Sequence, residues 1–225
     1  MEWVEWAAWI TAAGTTWITE VAGPYEAVAF DLLTALVDSW TLFARVAGGE
    51  APGRTWRLAS LRRVTAQGSY RSYEDILAEA AADAGVPAAK RDELVARWGE
   101  LEPWPEARGV LERLAGRRLA IVTNCSQRLA DIAAAATGGR FELVMSAERA
   151  GAYKIDPRAY QSALDALRLP SHRVLFVAGS AHDVPGASRV GMRVYWANRQ
   201  RLPVPEGSPA PLYDEPDLRR LAEVA

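Results

Sequence analysis

Cysteine is nearly absent from this chain, Cys125 being the single one in 225 residues. No intramolecular disulfide and no cysteine-built metal site can therefore form, which suits a reducing compartment and sets the expectation of a cytoplasmic protein. Histidine is scarce too: His172 and His182 are too few for a histidine-rich metal centre. An excess of either charge is missing, with 26 basic residues against 28 acidic ones. A net charge of -2 leaves no electrostatic footprint for nucleic acid or an anionic membrane. A long uninterrupted apolar run is also lacking. The opening MEWVEWAAWITAAGTTWITEVAG comes nearest, but it begins with acids, carries no Lys or Arg, and is broken by Thr, Gly and Glu. That pattern argues against both a signal peptide and a spanning helix. Trp3, Trp6 and Trp9 share one helical face, so residues 1–26 are expected to be an extension carrying a helix docked on the domain surface.

What remains is an ordinary globular composition, 50% apolar and 24% charged, long enough for a sizeable core. Short apolar runs rich in β-branched residues recur at 27–30, 118–123, 141–146, 173–178 and 192–197. Segments of helical periodicity near 105–115, 126–136, 156–168 and 184–190 separate the later runs. Such alternation predicts an α/β fold, a Rossmann-like parallel sheet with helices on both faces. Continuous apolar strands are what a sheet buried on both sides requires. From Ser39 to about Pro103 the alternation stops, and only helical stretches such as YEDILAEAAADAG and AAKRDELVARWGEL appear. Residues 39–103 are therefore expected to be an inserted all-helical cap on a core built from 1–38 and 104–225. The stretch NRQRLPVPEGSPAPLYDEPD, with five prolines, reads as a loop before a last short helix from about Glu215.

In an open parallel sheet, ligands gather at the carboxyl ends of the strands, near the point where strand order reverses. Asp31 lies at that end of the first run, and Thr123 and Asn124 end the second. Lys154 falls in the loop after the third, and Ala178 to Asp183 follow the fourth. Polar groups thus converge on one edge beneath the expected cap. Taken alone, Asp31 could equally cap a following turn, and Asp183 could cap the helix that Pro185 begins. Cys125 reads as a small filler at a helix start, a position that can also lower a thiol pKa.

The segments FDLLTALVDSW, WRLASLRR, LAIVTNCS, YKIDPRAY and VLFVAGSAHDVPGASRVGMRVYWANR together resemble the haloacid dehalogenase superfamily, and within it the L-2-haloacid dehalogenases. The resemblance implies that Asp31 is a nucleophile, attacking C2 of a small 2-substituted carboxylic acid to form an ester that water then hydrolyses. It implies that Lys154 neutralises the clustered carboxylates and that Asp183 orients the water. Thr123 and Asn124 would fix the substrate carboxylate or the nucleophile, Tyr160 would support the site, and Arg57 would face the leaving group from the cap. Where superfamily phosphatases carry a second acid and a magnesium-binding acid, this chain has Leu33 and Gly179. A phosphoryl group would lack its general acid and its metal, so no metal and no cofactor are expected.

Other departures fall around the pocket. Ala35 replaces the family threonine, with Thr34 one place early, and Ile155 replaces a proline. Ala178, Ser180 and His182 stand where a serine, an asparagine and an aromatic are usual, His182 adding a donor. Leu33, Ser180 and His182 therefore shape the electrophile's surroundings. The simplest expected activity is that of an (S)-2-haloacid dehalogenase; ring opening of azetidine-2-carboxylate by the same chemistry, and a non-catalytic small-acid binder, are the alternatives. Family members are commonly homodimers, so a homodimer is expected.

Overall fold

The computed structural model describes residues 25–225, so the Trp-rich helix expected near the N-terminus lies outside the described residues. Five of the six strands coincide with the apolar runs: β1 (Ala27–Phe30), β2 (Arg118–Thr123), β3 (Leu143–Ser146), β4 (Val174–Ala178) and β5 (Arg193–Ala197). A sixth, β6 (Tyr213–Glu215), runs through the stretch expected to be a loop, and the last helix begins at Leu221 rather than Glu215. β6 lies at the sheet margin, where its faces are not both buried and no apolar run marks it. Backbone pairing to β5 and the Tyr195–Tyr213 ring contact at 5.9 Å define it instead.

All strands are parallel, in the order β3-β2-β1-β4-β5-β6. Successive residues alternate between two cores, as the period of a strand demands. Val28, Phe30, Leu119, Ile121, Leu175 and Val177 enter one core, while Ala29, Val122, Phe176 and Val194 enter the other. Helices cover both faces: α5 (Ala107–Arg113), α6 (Gln127–Ala136), α7 (Ala147–Ala150), α8 (Pro157–Leu167), α9 (Asp183–Arg189) and α10 (Leu221–Val224) follow or precede the strands they pack on. Strand order reverses between β1 and β4, which places the crevice at their carboxyl ends.

After β1 the chain makes a short π-helical turn, Leu32–Leu36, and then leaves the sheet. It forms α1 (Ser39–Ala47), α2 (Glu50–Gln67), α3 (Tyr73–Asp83) and α4 (Ala89–Ala96), an all-helical cap. Exit and return are side by side: Val37 bridges Pro103, and the Asp38 amide donates to the Glu102 carbonyl at 2.8 Å. Indole donors pin both parts, Trp56 to the Leu77 carbonyl within the cap and Trp104 to the Thr34 carbonyl within the core. Among the described residues, no helix is long and apolar enough to cross a membrane.

α2 approaches the α1 backbone at Gly53, where an added methyl carbon would lie 2.4 Å from the Ala44 Cα. Backbone on the far side cannot swing away as a side chain could, so Gly53→Ala should cost about 1–3 kcal/mol in urea unfolding. Gly109, inside α5 with nothing within 4 Å of that position, is the control. Gly109→Ala should stabilise by about 0.5–1 kcal/mol in the same assay.

Candidate active site

The Asp31 amide extends the β1–β4 pairing by one step, donating to the Val177 carbonyl at 2.9 Å, so its side chain stands at the strand tip. Its Oδ2 accepts from the Thr34 amide at 3.0 Å, the Ala35 amide at 3.2 Å and the Thr34 hydroxyl at 2.5 Å. Oδ1 accepts from Lys154 Nζ at 2.7 Å. Capping therefore occupies one oxygen and the other faces Lys154; both readings of Asp31 hold at once. The Thr34 hydroxyl is a contact that the sequence pattern obscures, since it stands one position early.

Lys154 Nζ also lies 3.1 Å from Asp183 Oδ1 and 3.2 Å from Oδ2, and 5.4 Å from the centre of the Phe176 ring. All three charged groups are buried, Asp31 at 6%, Lys154 at 2% and Asp183 at 3% exposure. Tyr160 donates its hydroxyl to Asp183 Oδ1 at 2.8 Å. Asp183 is the first residue of α9, and its carboxylate is spent on Lys154 and Tyr160 rather than on capping.

One lysine between two carboxylates drives their proton affinities apart. Burial alone would raise Asp31, but the Lys154 charge and the donors from Lys154 and Thr34 outweigh it and hold Asp31 below the ordinary range. For Asp183 burial prevails, reinforced by the Asp31 charge, and its affinity for a proton rises despite Lys154 and Tyr160. Burial would lower Lys154, yet Asp183 and Asp31 together raise it, so it stays an ammonium. Asp31 is thus the carboxylate held ionised, and Asp183 the one poised to take a proton.

These groups open on a small cavity. Asp31, Leu33, Asn124, Lys154, Ser180, His182 and Asp183 line it from the sheet side. Arg57, Leu61, Val64 and Thr65 line it from α2, a spacing that puts them on one helical face. Arg57 is buried at 3% exposure; its Nε donates to Ser39 Oγ at 3.1 Å and Nη1 to Ser60 Oγ at 3.2 Å. None of the ion pairs among the described residues includes Arg57, whose neighbours are hydroxyls and the rings of Trp40 and Phe43. A guanidinium buried without a counter-charge is a ready partner for an anion.

Thr123, Asn124 and Tyr160 take different places around the cavity. Thr123 faces Cys125 Sγ at 3.6 Å and is not on the cavity wall. Asn124 reaches the wall, but both ends of its amide grip the Lys154 backbone, at 2.7 and 3.1 Å, so it sets the lysine loop. Tyr160 acts on Asp183 and does not line the cavity. Cys125 is inert: burial, with the Asp31 charge, pushes its thiol up to about 12.

No group of three or more His, Cys, Asp or Glu placed to hold a metal ion occurs among the described residues. At Gly179 an added methyl carbon would lie 2.3 Å from the Ala35 amide and 2.5 Å from the Thr34 hydroxyl, so a side chain there would collide with the turn that holds Asp31. An acid aimed from that position at a cation has no room.

Known proteins share this architecture. Residues 13–191 match the family of haloacid dehalogenase-like hydrolases. Haloacetate dehalogenase H-2 of Moraxella sp. (strain B) is 31% identical over 195 residues, 77% of this chain and 86% of its own. (S)-2-haloacid dehalogenase H-109 of Pseudomonas putida is 28% identical over 218 residues, 89% of this chain and 97% of its own. Among solved structures, the L-2-haloacid dehalogenase RSc1362 superposes with a TM-score of 0.79 at 26% identity, over 88% of this chain and 97% of that one. With residues 13–191 matched and a relative 31% identical over 77% of its length, the chain belongs to the haloacid dehalogenase-like hydrolase family.

Proposed function

We propose that the protein hydrolyses a small 2-substituted carboxylic acid through an ester on Asp31, most simply as an (S)-2-haloacid dehalogenase. The observation that carries this reading is the Lys154 ammonium between two buried carboxylates of opposite proton affinity. In the first step an Asp31 oxygen attacks C2, the carbon–halogen bond breaks, and its electron pair leaves with the halide. Oδ1 is the attacking atom, because Oδ2 is committed to three donors. In the second step water adds to the Asp31 carbonyl carbon while Asp183 accepts its proton; the bond from that carbon to the ester oxygen then breaks, and the 2-hydroxy acid departs with the proton that Asp183 returns. The same three donors on Oδ2 then serve the developing oxyanion, as a preorganised hole would.

Ring opening of azetidine-2-carboxylate uses the same nucleophile with a nitrogen leaving group that must gain a proton. Ser180 and His182 on the cavity wall favour keeping that reading, since both can donate. A panel of 2-chloropropionate and azetidine-2-carboxylate distinguishes the two; turnover of neither by a folded wild type would favour the small-acid binder.

Asp31→Asn should lower turnover by at least about 10³-fold, because the amide neither attacks carbon nor yields a hydrolysable ester. Single turnover of the wild type in heavy-oxygen water should place the label in Asp31, read by peptide mass. Label in the product alone would mean direct attack by water on C2.

Turnover should also follow the two raised groups. Asp183 must be unprotonated to accept a proton in the second step, so the rate of ester hydrolysis, read in kcat, should rise with pH through a limb above the ordinary aspartate value of 3.8. Lys154 must stay charged, so the alkaline limb should lie above 10.5. An acid limb at or below 3.8 in a pH–rate profile would contradict the role of Asp183.

A further inference from the structure

Tyr73, the first residue of α3, lines the same cavity and is 1% exposed. Its hydroxyl is among the few buried side-chain polar atoms that make no hydrogen bond. The ring is fixed edge-on against Trp98, centroids 6.2 Å apart. Leaving a buried hydroxyl unpaired is costly, and a phenylalanine would fill the same space without that cost. A hydroxyl kept at a cavity wall on those terms is explained by a partner that arrives with the substrate. Arg57 approaches the cavity from the neighbouring helix, also lacking a counter-charge. Burial holds the Tyr73 phenol above its ordinary 10.0, with the Arg57 charge acting in the opposite sense, so the group keeps its proton and can only donate toward an anion.

We propose that the Tyr73 hydroxyl receives the departing group of the substrate, forming a donor pair with the Arg57 guanidinium that the family resemblance already places there. The assignment rests on the reading of the cavity as a 2-haloacid site. As the bond from C2 breaks and its electron pair moves to the halogen, charge grows where these donors meet it, and no proton is transferred. Such a pair helps a compact, strongly accepting anion most, so its contribution is larger for chloride than for bromide.

The test is Tyr73→Phe, measured in three ways. In urea unfolding the variant should be as stable as the wild type or more so; a clear loss of stability would show that the hydroxyl has a structural partner and would overturn the proposal. In turnover, kcat/KM for (S)-2-chloropropionate should fall at least tenfold and fall less for (S)-2-bromopropionate; equal losses, or none, would overturn it. In calorimetry on Asp31→Asn, adding Tyr73→Phe should weaken (S)-2-chloropropionate binding severalfold and leave propionate binding unchanged. Equal weakening of both acids would assign Tyr73 to the carboxylate instead. Wild type that binds 2-chloropropionate in this Tyr73-dependent way without turning it over would sink the hydrolytic reading while sustaining the donor pair. If neither acid binds, both readings fall.

Discussion

The site is organised around one ammonium group buried between two carboxylates. Taking three charges out of water is costly, and the cluster persists only because every member is tied by further hydrogen bonds. Thr34 and Ala35 hold the Asp31 side, Tyr160 holds Asp183, and Asn124 fixes the loop that brings in Lys154. The cluster still carries one more negative charge than positive. That imbalance is resolved unequally, the carboxylate with more donors staying ionised while the other gains affinity for a proton. Two groups of the same chemical type are thereby fitted to different tasks.

The sheet makes this possible by bringing together residues far apart in sequence. Asp31 and Asp183 follow the adjacent strands β1 and β4, and Lys154 comes from the loop beyond β3. The cap supplies the opposite wall and is linked to the nucleophile's turn. Ser39, at the start of α1, donates to the Leu33 carbonyl at 2.6 Å and accepts from Arg57. Arg57 therefore takes its position from the same short segment that sets Asp31.

The core is legible in the sequence because strands buried on both faces must be continuously apolar, and the cap because strand-like runs cease between Ser39 and Pro103. β6 is not, since a marginal strand of three residues leaves no such signature. At the site, Asp31, Lys154 and Asp183 stand out as polar residues at strand ends, and the structure brings them into contact. Side-chain direction is harder to read. Nothing in the residues themselves says that Asn124 would grip a backbone, or that Thr123 would turn away from the cavity. Tyr73 carries no signal at all: at a helix start, a tyrosine wedged in a core and one facing a ligand look alike. Only the placement of α3 over the strand tips separates them.

Gly179 bears on what this lineage can become. The residue lies so close to Thr34 and Ala35 that the smallest side chain would strike the loop cradling Asp31. Installing a cation-binding acid there would require β4's exit and the turn after β1 to move apart together, two changes of which either alone would disturb the nucleophile. The backbone thus imposes a mutational barrier between this architecture and divalent-ion chemistry, so drift toward phosphate esters would have to begin with loop geometry and only then alter the residue.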